Sequence, residues 1–225
     1  MFWNNVKIAL RNLRKNKLFA AINISGLAIG LTIYVFGGLL IDYESTHDLF
    51  FENTPRIYTI GSTAATGLNV GVDKMNSTFT AVAPIIEAEL RDTEAVARTV
   101  NNEYLLTMGA ESFYQGVRFA DPALLRMFDL NYLAGDESAL EDPAGLLITE
   151  STAFKYFGRT DVAGEVVTFD NQYDYYISAV VEDVPMNSHF NSALIAESPF
   201  EIVAPLAGLN RMRDWDLAGN WSNLS

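Results

Sequence analysis

The sequence predicts a mixed α+β domain that follows a single N-terminal transmembrane helix, and three observations predict it. Residues 18–41 contain no charged residue and no proline. Beyond them, segments with the alternation of strands and segments with helical spacing follow one another. The chain has no cysteine, so the domain must be stabilised by an apolar core without disulfides.

The apolar segment 18–41 is long enough to cross a membrane. At about 1.5 Å per residue its helix would be roughly 36 Å long, against about 30 Å for the hydrocarbon core of a bilayer. A cleaved signal peptide has a shorter apolar region and a small-x-small cleavage site, and this segment has neither. We therefore predict an uncleaved anchor over residues 18–41 and an exported domain over residues 42–225.

The distribution of charge predicts the orientation of this anchor. Residues 1–17 contain several Lys and Arg residues and no acidic residue, whereas the whole chain has 28 acidic and 15 basic residues. Because Lys and Arg near membrane ends favour the cytoplasmic side, we predict a cytoplasmic N-terminus and a periplasmic domain. The acidic domain argues against nucleic acid as a partner.

Residues 1–17 also predict a basic amphipathic helix. Apolar residues recur at helical spacing and cations repeat on the neighbouring face, as in helices that lie in the interface of the lipid bilayer. A simpler interpretation is a basic flank that only sets the topology. The residues of the predicted interfacial helix are Trp3, Val6, Lys7, Leu10, Arg11, Leu13 and Arg14.

Within the apolar segment, Gly26 and Gly30 form a G-x-x-x-G pattern, which lets a second helix approach closely. Asn23, one turn earlier, is a polar group that prefers a protein partner to lipid. Together these three residues predict a face that packs against other membrane helices.

The exported segments predict short elements with recognisable ends. A helix over 80–92 precedes two strands, and Asp121 followed by Pro122 is typical of a helix start. Thr149 or Ser151 is expected to cap a helix that ends at Gly158. Strands are predicted over 56–62 and in AVARTVNN, EYLLTMG, ESFYQGVRFA and GLLITES, with a hairpin from EVVTFD to YDYYISAVVEDV across Asn171 and Gln172.

The sequence contains no recognisable catalytic or metal-binding motif. His47 and His189 are the only histidines, and both are predicted to lie in surface loops. HExxH, a cysteine pair, G-x-S-x-G and a P-loop are all missing from it. Carboxylate pairs such as Glu87 with Glu89, or Glu141 with Asp142, are interpreted as solvated faces. We expect a protein that is not an enzyme and that binds no cofactor or metal.

Five blocks, in order, resemble the MacB/FtsX-type ABC transporter permeases. They are KIALRNLRKNKLFAAINISGLAIG and the segments 43–60, 119–136, 146–158 and 180–190. Phe51 stands where the family usually has His, and Thr59 where it has Arg. The residues that match the motifs include Tyr43, Glu44, Asp48, Phe50, Asn53, Arg56, Ile57, Tyr58, Gly158, Asp183, Pro185, Asn187, Ser188 and His189.

This resemblance implies a permease with four membrane helices and a two-lobed α+β periplasmic domain between the first and second. Its implied partners are a cytoplasmic ABC ATPase subunit, a second permease copy, a periplasmic adaptor protein and the lipid bilayer of the bacterial inner membrane. It also implies that ATP hydrolysis moves the periplasmic domain for export or mechanotransmission.

Because the sequence has one apolar span, we expect it to be the N-terminal part of such a permease. The alternative is a membrane-anchored, single-span sensor or binding protein of the periplasm. The five blocks and the face formed by Asn23, Gly26 and Gly30 favour the permease.

Overall fold

The computed structural model of the chain describes residues 2–63, 74–75, 77–109, 111–191 and 200–213. The chain divides into two compact units, residues 1–47 and residues 48–225.

The first unit consists of two helices, α1 (Phe2–Lys15) and α2 (Lys17–Ser45). The basic residues Arg14 and Lys15 end α1, where cations stabilise the helix dipole. By length and composition α2 can cross a membrane, and it continues four residues beyond the predicted segment 18–41. Nearly all of its side chains are exposed, which suits a helix surrounded by lipid or by other helices.

The second unit is mixed α and β, as the sequence predicts. Its helices are short and its strands carry most of the buried residues. The strands are β1 (Ser62–Thr63), β2 (Lys74–Met75), β3 (Thr99–Met108), β4 (Glu111–Ala120), β5 (Tyr132–Ala134), β6 (Gly145–Thr149), β7 (Val166–Phe169), β8 (Tyr173–Val181) and β9 (Ile202–Pro205). The helices are α3 (Val82–Glu89), α4 (Ala123–Met127), α5 (Glu150–Phe157) and α6 (Leu209–Met212).

Six of these strands form a closed ring. The order around it is β8, β6, β9, β4, β3 and β7, and β7 pairs again with β8. Tyr176 is opposite Gly145 on β6 and Val166 on β7, so β8 has a neighbour on each side. The pairs β6–β8 and β4–β9 are parallel and the others are antiparallel, while β5 pairs with the end of β8 outside the ring. Closure of this kind removes most exposed strand edges.

Alternation along the strands separates two apolar cores. On β6, Leu146 and Ile148 point into the ring and Leu147 points outward. The inner set, called the barrel core, includes Val100, Tyr104, Leu106, Met108, Val117, Phe119, Leu146, Ile148, Val167, Phe169, Tyr175, Ile177, Ile202 and Ala204. The outer set, called the outer core, includes Phe51, Leu124, Leu125, Phe128, Leu140, Leu147, Val181, Val184, Phe190, Phe200 and Val203.

The mixed α+β class is confirmed. The described residues from Asp48 onward form one compact unit, so the second lobe of the resemblance is not distinguished as a separate body among them. The two strands predicted in AVARTVNN and EYLLTMG are one continuous strand, β3, because each of its residues pairs with β4.

The predicted strand over 56–62 is wrong. Thr54–Arg56 is a 3₁₀ turn, and only Ser62 and Thr63 belong to a strand, β1. Tyr58 is 80% exposed and Arg56 forms a surface ion pair with Glu94. β-branched and aromatic residues favour a strand only where a neighbouring strand packs against them, and this segment lacks that neighbour among the described residues.

A helix does start just after Asp121, as predicted, but Asp121 does not cap it. The helix α4 begins at Ala123 after Pro122, but no side chain caps it. The Asp121 carboxylate instead accepts hydrogen bonds from the Arg98 backbone N–H (2.9 Å) and guanidinium (2.8 and 3.0 Å). These bonds raise the pKa of Arg98. A bidentate pair with Arg is stronger than an ordinary cap, so the carboxylate joins the residue before β3 to the residue after β4.

Both predicted ends of α5 are confirmed. Thr149 caps α5 by accepting a hydrogen bond from the Thr152 backbone N–H, at 3.4 Å. Gly158 ends the same helix with a φ of 67° and accordingly lies in the left-handed region that glycine adopts readily. The predicted hairpin joins β7 to β8, but its turn lies at Asp170 and Asn171, which both have positive φ, one residue before the predicted Asn171 and Gln172.

Candidate functional site

Two segments that are far apart in the sequence meet at the beginning of the second unit. One begins at Asp48, three residues after the last residue of α2, and the other is the loop 182–191 that follows β8. Both belong to blocks that resemble the permease family. The junction, called the joint below, is formed by Asp48, Phe51, Asn53, Thr54, Asn187, Ser188, His189, Phe190 and Asn191.

Asp48 is the centre of the joint. Its backbone N–H donates to the Asn187 carbonyl at 3.1 Å. Its carboxylate accepts from the His189 backbone N–H at 3.0 Å, and the His189 Nδ1 lies 3.1 Å from the same oxygen. Its carbonyl accepts from the Thr54 hydroxyl at 2.6 Å. Asp48 has a φ of +58°, a conformation that Asp tolerates better than most residues.

The side chains of Asn53 and Asn191 connect the joint to α4 and to neighbouring loop residues by hydrogen bonds. The Asn53 side-chain amide donates to the Met127 carbonyl of α4 at 3.2 Å. The Asn191 amide donates to the Val184 carbonyl at 2.8 Å, and its oxygen accepts from the Phe200 backbone N–H at 3.0 Å. Each of these side chains satisfies a loop carbonyl or N–H that no strand pairs.

An aromatic cluster lies beneath these hydrogen bonds. The Phe128 ring centroid is 4.9 Å from that of Phe51 and 4.7 Å from that of Phe190, and both pairs meet edge to face. The Phe200 ring is 4.7 Å from Phe190, and the His189 ring is 5.2 Å from Phe128. Edge-to-face pairs of this kind add stability beyond their buried area.

Arg118 lies on the outer face of β4, under the same loop. Its guanidinium carbon is 5.4 Å from the centroid of the Phe190 ring. Burial lowers the pKa of Arg118 to about 10, because desolvation disfavours the charged form. A cation over the face of a buried ring compensates part of that desolvation.

Asp183, in the loop after β8, connects the joint to α5. Its carboxylate accepts from the Ser151 backbone N–H at 3.2 Å, in the first turn of α5. Together with Thr149, it satisfies two of the backbone donors that a helix start leaves unpaired. Pro185 contributes a carbonyl that lies 3.4 Å from the Asn191 amide.

The joint therefore gathers Asp48, Asn53, Asn187, Ser188 and His189 from the predicted family residues. His189 lies in a loop, as predicted, but its ring is engaged by Asp48 and Phe128. The remaining family residues lie elsewhere: Tyr43 and Glu44 in α2, Arg56 and Tyr58 on the surface, Gly158 at the end of α5, and Phe50 beside Phe51.

Sequence analysis did not single out Phe128, Phe190, Phe200 or Arg118 as members of this site. The substitution of the usual family His by Phe51 was a signal, because this position contributes a ring to the cluster. Arg118 was a second signal, because it lies between Val117 and Phe119, which both point into the barrel core. Strand alternation therefore places its cation on the outer face of a buried strand.

The face predicted on α2 is open. An added Cβ at Gly26 or Gly30 would meet no atom within 4 Å. In the other predicted helix, Trp3 is 75% exposed, and the side chain of Leu10 lies outside the described residues.

The described residues contain no group of three His, Cys, Asp or Glu side chains that could hold a metal ion. A cavity of about 350 Å³ near the end of β5 is lined by Asp136, Asp142, Tyr176 and Ser178, among others. It lies outside the joint and is not lined by any of the predicted site residues.

Three solved structures similar to this chain come from permease or transporter proteins. The chain is similar to a domain of a proposed permease protein from Porphyromonas gingivalis, at 26% identity and a TM-score of 0.53, over 67% of this chain and 65% of that one. It is also similar to the periplasmic region of MacB from Actinobacillus actinomycetemcomitans, at 14% identity and a TM-score of 0.50, over 73% of each chain. The domain after α2 therefore has the fold of these two permease domains.

A third similar structure is the extracellular domain of the noncanonic ABC-type transporter YknZ from Gram-positive bacteria, at 16% identity and a TM-score of 0.45, over 60% of this chain and 66% of that one. No protein-family model and no curated protein matches the sequence. The chain spans slightly less than two thirds of the Porphyromonas domain. A helix that is long and apolar enough to cross a membrane precedes the domain.

Proposed function

We propose that the chain works in the permease subunit of a MacB/FtsX-type ABC transporter. In this proposal a cytoplasmic ABC ATPase subunit drives movement of the extracytoplasmic domain, for export or mechanotransmission. The observation that carries it is the similarity to the Porphyromonas permease domain, together with an apolar helix directly before the domain. The residues that match the family blocks and meet in the joint support the same proposal.

The joint is the proposed path for this movement. It begins three residues after α2, and its hydrogen bonds connect Asp48 to the loop after β8 and to α4 through Asn53. A displacement of the end of α2 would then reach the strands that form the barrel. The gathered family residues would act as connectors, without touching a substrate.

The proposed orientation has the N-terminus in the cytoplasm and the domain in the periplasm of the bacterial inner membrane. It rests on Lys7, Arg11, Arg14, Lys15 and Lys17 before the helix and on the acidic domain after it. A phosphatase fused after residue 60 should be active, and a reporter that works only in the cytoplasm should be silent there. The opposite result would contradict both the orientation and the permease.

The proposed partners in the membrane are a second permease copy and sister helices that pack on Gly26 and Gly30; a periplasmic adaptor would join them outside. In the whole permease, Gly26→Leu or Gly30→Leu should lower the stimulation of the ATPase by separating the helices. Lys7→Glu with Arg11→Glu should weaken seating at the lipid surface, since each cation is worth about 1 kcal/mol there. Unchanged ATPase stimulation in both glycine variants at normal expression would mean that this face contacts lipid.

The decisive experiment tests coupling through the joint. The whole permease and its ABC ATPase would be reconstituted in nanodiscs, and ATPase stimulation compared between Asp48→Ala and Asp174→Ala. Asp174 is a matched control, because its carboxylate accepts a hydrogen bond from Thr168 on the exposed hairpin, away from the joint. We expect loss of stimulation in Asp48→Ala alone, with a native near-ultraviolet circular dichroism spectrum in both. Equal stimulation in the two variants would contradict a role of the joint in coupling.

A further inference from the structure

Three large apolar side chains are exposed at the start of the second unit. Leu49 is 65% exposed, Phe50 39% and Met186 70%. Leu49 and Phe50 are consecutive, and Met186 belongs to the segment that meets theirs, because Asp48 and Asn187 share a backbone hydrogen bond of 3.1 Å. Together they are called the membrane-proximal patch.

The chain length limits how far this patch can be from the membrane. The last residue of α2 is Ser45, and only three residues separate it from Leu49. Four residue steps span at most about 14 Å even when fully extended. The chain between them is not extended, since Thr46 N–H bonds back to the Asp42 carbonyl at 3.0 Å and Asp48 adopts a turn conformation.

The polar interfacial layer of a bilayer extends roughly 5–8 Å beyond the hydrocarbon on each side. If α2 crosses the bilayer, the patch lies within reach of this layer. Apolar side chains in that layer bury their surface among headgroups and acyl chains, as interfacial anchors do.

We propose that Leu49, Phe50 and Met186 insert into the outer interface of the lipid bilayer and hold the barrel close to the membrane. This inference rests on the proposed membrane topology. The chain neighbours Glu52 and Asp183 are acidic and exposed, so the patch suits a zwitterionic surface and gains nothing from anionic lipid. The occupant is therefore lipid, held by apolar contact and not by charge.

The absence of cysteine makes a direct test possible. Single variants Leu49→Cys, Met186→Cys, Gly30→Cys and Phe154→Cys of the full chain would carry nitroxide labels in phosphatidylcholine nanodiscs. Phe154 is the matched control, because it is an apolar residue that is 63% exposed on α5. Relaxation by oxygen, which concentrates in lipid, would be compared with relaxation by a water-soluble nickel chelate.

We expect the labels at 49 and 186 to show a several-fold higher oxygen-to-nickel ratio than the label at 154, with the label at 30 higher still. A ratio at 49 and 186 equal to that at 154, with a lipid-like ratio at 30, would overturn the patch and leave the topology intact. Shielding of 49 and 186 from both reagents would overturn it in favour of a protein partner. A water-like label at 30 would overturn the topology, and the patch with it.

Discussion

The barrel core and the joint differ in the distance along the chain that separates their members and in the forces that hold them. The barrel core is built from alternating apolar residues on paired strands, several of which are neighbours in sequence. The joint connects Asp48 to His189 through charged and polar hydrogen bonds above an aromatic cluster. The barrel depends on buried area, whereas the joint depends on a few directional contacts.

This difference predicts that the two regions differ in rigidity. A core packed from all sides tolerates little change in volume and behaves as one rigid body. A junction held by a few hydrogen bonds at a partly exposed loop is easier to open locally. We therefore expect the barrel to unfold as one unit and the joint to open at a lower cost in free energy.

The largest expected effect tests the barrel core. Phe119→Ala removes a fully buried ring, whose centroid lies 5.6 Å from that of the Tyr104 ring. We expect a loss of about 4 kcal/mol in the free energy of unfolding, because the cavity cannot collapse inside a closed ring. Urea unfolding of the full chain in detergent, followed by near-ultraviolet circular dichroism, measures it. Phe154→Ala, on the surface, should change it by less than about 0.5 kcal/mol.

A pair of glycine variants distinguishes the cost of a steric clash from the cost of backbone strain. Gly135 and Gly158 both have positive φ, but an added Cβ would lie 2.2 Å from the Ser178 carbonyl oxygen at Gly135 and in open space at Gly158. Gly135→Ala should cost about 3 kcal/mol and Gly158→Ala about 1 kcal/mol. The same unfolding measurement applies, and equal costs would show that φ alone controls both positions.

The joint should respond more weakly than the barrel core. Asp48→Ala removes the acceptor of the His189 backbone N–H and ring, and places Ala at a φ of +58°. We expect a loss of about 2 kcal/mol. Asp48→Asn keeps an acceptor and tolerates the backbone, so it should lose about half as much. A loss as large as that of Phe119→Ala would remove the distinction between the two regions.

The smallest effect at neutral pH concerns a polar group inside the barrel core. Tyr175→Phe deletes the hydroxyl that donates to the Gly208 carbonyl at 2.9 Å, and should cost about 1 kcal/mol. Burial raises the pKa of Tyr175 to about 12, which is above its value in the unfolded chain.

The raised pKa gives the pH dependence a definite sign. The neutral hydroxyl is favoured by folding, so its contribution is complete below about pH 10 and is lost as pH rises through about 12. The free energy of unfolding of the native chain should therefore fall by about 2 kcal/mol more than that of Tyr175→Phe across this window. Parallel alkaline curves for the two proteins would mean that the hydroxyl titrates as if exposed.

The sequence alone determined the features that depend on neighbouring residues. The apolar run over 18–41 predicts a long helix because membrane-compatible length and composition are local properties. The cap at Thr149, the left-handed end at Gly158 and the β7–β8 hairpin follow from local backbone chemistry in the same way. The five family blocks indicated the fold of the domain, although no single block shows which strands pair.

Only the tertiary structure decided the features that depend on distant partners. Closure of the ring requires β8 to accept β7 and β6 on opposite sides, and periodicity does not say which strands become neighbours. Segment 56–62 has the composition of a strand but, among the described residues, finds no partner for most of its length. Asp121 has the position of a cap but binds Arg98, because a bidentate ion pair outweighs a single capping bond. The joint brings Asp48 to His189 because the whole barrel folds between them, and this contact exists only once the barrel has formed.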